Sequence, residues 1–230
     1  MALYAVIGLG QLGAAVATQL NEGGGEVIAI DRDGARVDAI KDKVARAVSL
    51  DATDERALRA SGITDAVTVV LALGENQLEE AVLATMLLRD LGVGRIIARA
   101  GTDVQAKVLQ RIGVSKVIFP ERQIGHQLAR QILMPSVREV VPLADGASLA
   151  EIEVPPSWVG KNLAELKLRA MYGVNAVALR RRREVVADDG TARDVDAVVS
   201  NVGPETVIEK GDVLVLVGTD EAVRTLSTVK

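Results

Sequence analysis

Three glycines and one acid near the start of the chain have the types and spacing to hold an anion. Gly8-Leu9-Gly10-Gln11-Leu12-Gly13 follows the apolar run Leu3–Ile7, and Asp31-Arg32 closes the next apolar run, Val27–Ile30. Glycine at position 8 lets the chain turn sharply off a strand. At position 10 it leaves no side chain between backbone and phosphate, and at position 13 it lets the following helix pack closely on its sheet. Unpaired N–H groups and the helix dipole then favour a negative charge at that helix start. Asp31 can accept hydrogen bonds from both hydroxyls of an adenosine ribose. The same carboxylate repels a 2′-phosphate, which disfavours NADP. The pattern asks for a free ribose diol, so NAD, NADH, ATP, ADP and AMP all satisfy it. A fold of this type with a vestigial site is the alternative.

Other residues fall where they can reach the same ligand. Asp51-Ala52-Thr53 follows the third apolar run, and the small Ala52 leaves room for a base. Asp51 or Thr53 also suits a helix N-cap, and both roles can hold. Leu73-Gly74-Glu75 follows the fourth run, where Gly74 permits close backbone approach or makes a plain strand-to-helix turn. Arg99 ends the fifth run, as a phosphate partner or as a solvated rim residue. Pro120-Glu121-Arg122 reads from its spacing as an ordinary helix start. His126, the single histidine, has no Ser, Cys or acid at a diagnostic spacing, so no catalytic residue is assigned. Arg180-Arg181-Arg182-Arg183 suggests a nucleic-acid patch. The nearby Asp188, Asp189 and Asp194 favour a solvated or acid-paired hairpin.

The elements that must carry these residues alternate. Strands are expected over Leu3–Ile7, Glu26–Ile30, Arg46–Leu50, Ala66–Leu71, Arg95–Ala98 and Lys116–Phe119. Helices are expected between and after them, over Gln11–Asn21, Gly34–Asp42, Glu55–Ser61, Gln77–Leu91, Val104–Ile112 and Gln123–Leu133. This α/β alternation predicts a doubly wound, Rossmann-like parallel sheet covered on both faces, with the ligand at the carboxyl ends of its strands. Val104, Val108 and Ile112 share one face of their helix. Ile124, Leu128 and Ile132 form an apolar line that either covers the sheet edge or reaches another subunit.

Met134-Pro135 ends this first module, residues 1–134, because proline lacks a donor and disfavours helix before it. A hinge is expected there. Residues 135–230 form a second, smaller α+β module, with strands over Arg138–Leu143, Ala150–Val154, Ala176–Arg180, Val185–Val186 and Val213–Val217. Helices are expected there over Asn162–Met171 and Glu221–Thr228.

Composition excludes several classes. Cysteine is absent, which removes disulfides, thiolate nucleophiles and cysteine metal sites. One Trp, one Phe and two Tyr offer no platform for stacking bases, and a net charge of −4 opposes a duplex footprint, so no nucleic-acid partner is expected. No apolar run approaches the ~20 residues that cross a bilayer. The start of the chain lacks the pattern of a signal peptide, and a cytoplasmic protein is expected.

The chain resembles the regulator of potassium conductance (RCK, or KTN) family found in regulatory subunits of Ktr and Trk potassium-uptake systems. Gly8–Gly13, Val108–Gly113, Val117-Ile118-Phe119-Pro120-Glu121 and the helix from Gly125 carry the likeness in the first module. In the second it is carried by Gly160–Leu166, Leu168-Arg169, Tyr172–Asn175 and Ile208–Leu214. The resemblance implies a non-enzymatic regulator that exchanges ATP and ADP, or NAD and NADH. It implies a homo-oligomeric ring, commonly an octamer built from dimers, on the inner face of the cell membrane beneath an ion-translocating partner. One copy of each module matches the short Ktr-type subunit. Family members often carry Arg where this chain has Gln11; a neutral amide holds phosphate about half as strongly as a charged donor. Glu121 matches a family acid that holds a cation with ATP. Leu163, Arg169, Asn175, Ala176 and Pro204 match positions that bind cyclic di-AMP in some relatives. The functional alternative is an NAD-dependent oxidoreductase.

Overall fold

The computed structural model describes residues 1–186 and 192–229, and the side chains of 183–196 lie outside that description. Two compact units divide the chain, Met1–Ile124 and Gly125–Lys230.

In the first unit β1 (Leu3–Ile7), β2 (Glu26–Asp31), β3 (Arg46–Ser49), β4 (Thr68–Leu71), β5 (Ile96–Arg99) and β6 (Lys116–Ile118) form one sheet in the order β3-β2-β1-β4-β5-β6. Every neighbouring pair is parallel. Between them run α1 (Gln11–Glu22), α2 (Gly34–Ile40), α3 (Glu55–Ala60), α4 (Leu78–Asp90) and α5 (Asp103–Arg111). The strand order reverses between β1 and β4, and doubly wound sheets bind ligands outside the strand ends at that point.

Alternation along β1 explains the two-faced core. Ala5 and Ile7 pack into one apolar cluster with Leu58, Leu71, Leu88 and Leu109, while Val6 joins Val27, Ala29 and Val37 on the other face. Both faces are buried, as a parallel sheet requires. The sheet meets α5 through Ala106 and Leu109, with Ile112 partly buried beside them. Val104 and Val108, expected to share a helix face with Ile112, are 71% and 36% exposed. Their common spacing places them on one stripe of the helix without fixing which stripe meets the sheet. The small Ala106 allows the close approach, so its stripe turns inward.

The helix predicted to begin at Gln123 begins at Pro120: α6 spans Pro120–Leu133, with proline at its first position as its fixed φ favours. The division between units falls within this helix. Ile124, Leu128 and Ile132 are 62%, 54% and 70% exposed, so this line lies largely open among the described residues.

The second unit is built on an antiparallel sheet of β7 (Val137–Ala144), β8 (Ala147–Glu153), β9 (Val174–Val186), β10 (Ala192–Val199) and β11 (Val213–Thr219), ordered β10-β9-β11-β8-β7. Sequence patterning missed β10, whose Asp194 and Asp196 are poor strand formers. It pairs with β9 as the outer strand. The helix expected over Asn162–Met171 is two: α7 (Leu163–Leu166) and α8 (Leu168–Tyr172). Asn162 and Glu165 form a capping box at the start of α7. Lys167 then takes a left-handed conformation, φ 45°. In a continuous helix Leu166 and Leu168 would point about 200° apart. The break lets both be buried. A last helix, α9 (Asp220–Leu226), closes the unit, capped by the Thr219 hydroxyl.

The arginine run lies in the β9–β10 pair. Arg180 donates to both carboxylate oxygens of Glu151, at 2.9 and 2.7 Å. Arg181 donates to both oxygens of Asp212 and also pairs with Glu209. These acids come from β8 and the approach to β11. Asp188 and Asp189 lie outside the described residues, as does the Asp194 side chain.

Candidate nucleotide site

β1 ends at Ile7, and Gly8 turns the chain with φ +91°, where a side chain would also strike the Ala72 carbonyl at 2.9 Å. Gly13 sits so close to that turn that a Cβ would stand 1.8 Å from the Gly8 oxygen. Gly10 meets nothing within 4 Å and holds an ordinary φ of −65°, so its missing side chain opens space above the helix start. No side chain caps α1, and its first turn carries no acid. Its leading N–H groups are therefore open to an anion.

Asp31, at the end of β2, is 7% exposed. Its Oδ2 accepts from the Leu9 amide at 2.7 Å and its Oδ1 from the Asp33 amide at 2.9 Å. Arg36 of α2 reaches Oδ2 at 3.4 Å. The acid thus fixes the glycine turn to the start of α2, and an ionised carboxylate keeps lone pairs for further donors. Asp33 caps α2 by accepting from the Ala35 amide.

A crevice of about 400 Å³ opens over these strand ends. Gly8, Gly10, Asp31, Arg32, Asp51, Ala52, Leu73, Gly74 and Arg99 all line it, so nine of the sequence-predicted residues converge. Asp51 does not cap a helix: its carboxylate accepts from both the amide and the hydroxyl of Thr53, and Asp54 caps α3 instead. The Thr53 hydroxyl, then its amide and the Arg32 charge, hold the Asp51 carboxyl below its usual range. The remaining predicted residues stand around the crevice. Leu12 and Gly13 lie in the first turn of α1, and Gln11 faces a neighbouring groove between α1 and α2. Glu75 and Glu121 flank Arg99, whose guanidinium donates to Glu121 at 2.6 Å and approaches Glu75 at 3.7 Å. Arg36, Asp33, Gln77 and Glu80 also line the crevice; periodicity gave no signal for them, although an acid two residues past Asp31 and just before a helix marks a cap.

Among the described residues no group of three or more His, Cys, Asp or Glu is placed to hold a metal. In the second unit, Pro204 accepts from the amide of Ala164, next to Leu163 at the start of α7. Arg169 lies exposed on α8, and Asn175 and Ala176 lie near the start of β9.

The TrkA-N domain family matches residues 4–120 and the TrkA-C domain family residues 149–229. The Ktr system potassium uptake protein C of Bacillus subtilis (strain 168) is 35% identical over 94% of this chain and 91% of its own length. The chain belongs to the RCK family. The Ktr system potassium uptake protein A of Vibrio alginolyticus is 32% identical over 88% of this chain and 92% of its own. Among solved structures, a GsuK channel bound to NAD is 28% identical with a TM-score of 0.52; it covers 98% of this RCK chain, which spans 38% of that channel's length. The TrkA-N domain of the Escherichia coli inner membrane protein ybaL, at 22% identity and a TM-score of 0.51, shares the fold of the first unit. RCK proteins of this kind are non-enzymatic regulators, which sets aside the oxidoreductase alternative. The two family matches leave α6 beyond Pro120 and the whole of β7 between them.

Proposed function

We propose that this RCK protein is the nucleotide-gated regulatory subunit of a Ktr-type potassium-uptake system. ATP and ADP, or NAD and NADH, occupy the crevice at the sheet's switch point. Asp31 receives the ribose diol, the uncapped start of α1 and the bare Gly10 receive phosphate, Ala52 and Leu73 border the base, and Arg99 meets the charge farther along. The observation that carries this reading is the Asp31 carboxylate beside an uncapped, glycine-opened helix start. The names of the relatives support potassium as the ion, and the NAD-bound channel supports an adenine dinucleotide as one ligand.

The protein works as a homo-oligomeric ring, an octamer built from dimers, against the inner, cytoplasmic face of the membrane. The exposed lines on α5 and α6 support self-association, and among the described residues no helix is long and apolar enough to cross a bilayer. A ligand shifts such a ring only by as much as it prefers one shape over another. A cation held at Glu121 and cyclic di-AMP at Leu163, Arg169, Asn175, Ala176 and Pro204 are further inputs on this reading.

Titrating nucleotide-free protein with ADP, ATP and NAD by calorimetry tests the site. Saturable binding that weakens about tenfold in Asp31→Asn supports it; equal affinity in both proteins contradicts it.

A further inference from the structure

We propose that Arg99 is a cation contested by two anions, Glu121 and the terminal phosphate of the nucleotide, so that phosphate binding releases the first turn of α6. This rests on the nucleotide reading of the crevice and adds a route by which occupancy leaves it.

Arg99 ends β5 and lines the crevice, with its side chain 19% exposed. In the present arrangement its terminal nitrogen is committed to Glu121, the second residue of α6, with Glu75 farther off. The guanidinium Nε is enclosed and has no hydrogen-bond partner. An arginine has five donors in a fixed fork, and an enclosed donor without a partner is disfavoured. The Glu121 pair therefore leaves this side chain unsatisfied, and a second arrangement that used the Nε edge would compete with it. A phosphate supplies what Glu121 does not, a higher negative charge and several oxygens that match the fork. Only the identity of the anion beside the guanidinium changes. Glu121 and Glu75 are each about half exposed and are well hydrated once released. α6 continues past the division between the two units, so a change at its second residue acts on the one helix that belongs to both.

The contest predicts a sign. Glu121 opposes nucleotide binding in the absence of divalent cations, whereas a purely cation-holding Glu121 would be silent there. The full-length protein is titrated with ADP and with adenosine in EDTA, as wild type, Glu121→Gln, Arg99→Gln and the double variant; Arg99→Lys, which keeps the charge but not the fork, backs up Arg99→Gln if that variant folds poorly. The expectation is a three- to tenfold gain in ADP affinity for Glu121→Gln, a loss of about tenfold for Arg99→Gln, and no gain from Glu121→Gln when Arg99 is already Gln or Lys. Adenosine affinity stays constant. Amide exchange at Gln123, which donates to the Phe119 carbonyl, speeds up on adding ADP to the wild type and is already fast in Glu121→Gln. An unchanged or weaker ADP affinity in Glu121→Gln overturns the contest, and so does the same gain with Arg99 replaced. If the wild type binds ADP and only these tests fail, the nucleotide reading stands without the contest. If it binds neither ADP nor adenosine, both fall.

Discussion

Asp31 is the residue on which chemistry and structure meet. Its two oxygens already hold the Leu9 and Asp33 amides, so its replacement costs order as well as ligand contacts. A ligand-side test separates the two. 2′-Deoxy-ADP binds the wild type about tenfold more weakly than ADP, a loss of ~1.4 kcal/mol, at the low end for one hydrogen bond to a charged group. In Asp31→Asn the difference between the two ligands shrinks, whatever the variant's melting temperature. The glycines divide in the same manner. Gly13→Ala would press a methyl into the Gly8 carbonyl and lowers stability by ~3 kcal/mol or more, read by denaturant unfolding. Gly10→Ala has open space and an ordinary backbone, so its stability stays within ~0.5 kcal/mol while nucleotide affinity falls. Gly8, Gly13 and the acid were legible in the sequence because local geometry demands them, and Gly10 because its spacing from them is that of a phosphate-binding turn. Arg36, Gln77 and Glu80 were not, because long polar side chains on a helix face look alike whether they meet solvent or a crevice.

At the scale of elements, helices were read well where a cap and a stripe agreed, and poorly where buried residues required an irregular backbone. Lys167 is the sharpest case. A non-glycine residue at φ 45° is strained, yet Leu166 and Leu168 are both buried on either side of it. Lys167→Gly therefore stabilises the protein by ~0.5–1 kcal/mol, a rise of a few degrees in thermal unfolding, because relief of the left-handed strain exceeds the extra freedom of the unfolded glycine. The arginine run gave the hairpin but not its partners, since Glu151 and Asp212 are far away in sequence and adjacent only through strand order. Asp212, 1% exposed at its side chain, would lose its main partner in Arg181→Met, at a cost of ~3–5 kcal/mol. Arg181→Met with Asp212→Leu recovers most of it, measurable as a double-mutant cycle. The hydrogen bond to Asp212 raises the Arg181 pKa above its ordinary value. Stabilisation from a raised pKa is lost only as pH rises through the folded value, so Arg181 adds no pH dependence at ordinary pH. Asp51 has the opposite sign. Its pKa lies below 3.8, so the Asp51–Thr53 turn is intact above that value and is lost as pH falls further.

For the whole molecule, the first unit's layout followed from alternation of apolar runs and the second unit was legible as α+β without its outer strand β10, but what surrounds the units was not. Four-residue spacing put Val104 and Val108 on one stripe without saying what that stripe meets; they lie exposed, as does the Ile124–Leu128–Ile132 line. Light scattering is expected to report a mass several times the 24.2 kDa of one chain, and Leu128→Asp to lower it. A 24.2 kDa species in the wild type would remove the ring from the proposal. The most direct measurement is potassium flux into vesicles carrying the membrane subunit with this protein bound, recorded with and without saturating ADP, ATP or NAD. Flux that changes with nucleotide in the wild type, and loses that response in Asp31→Asn, is the predicted result. Flux that is the same with and without every adenine nucleotide, in a preparation where the protein is bound, would contradict it.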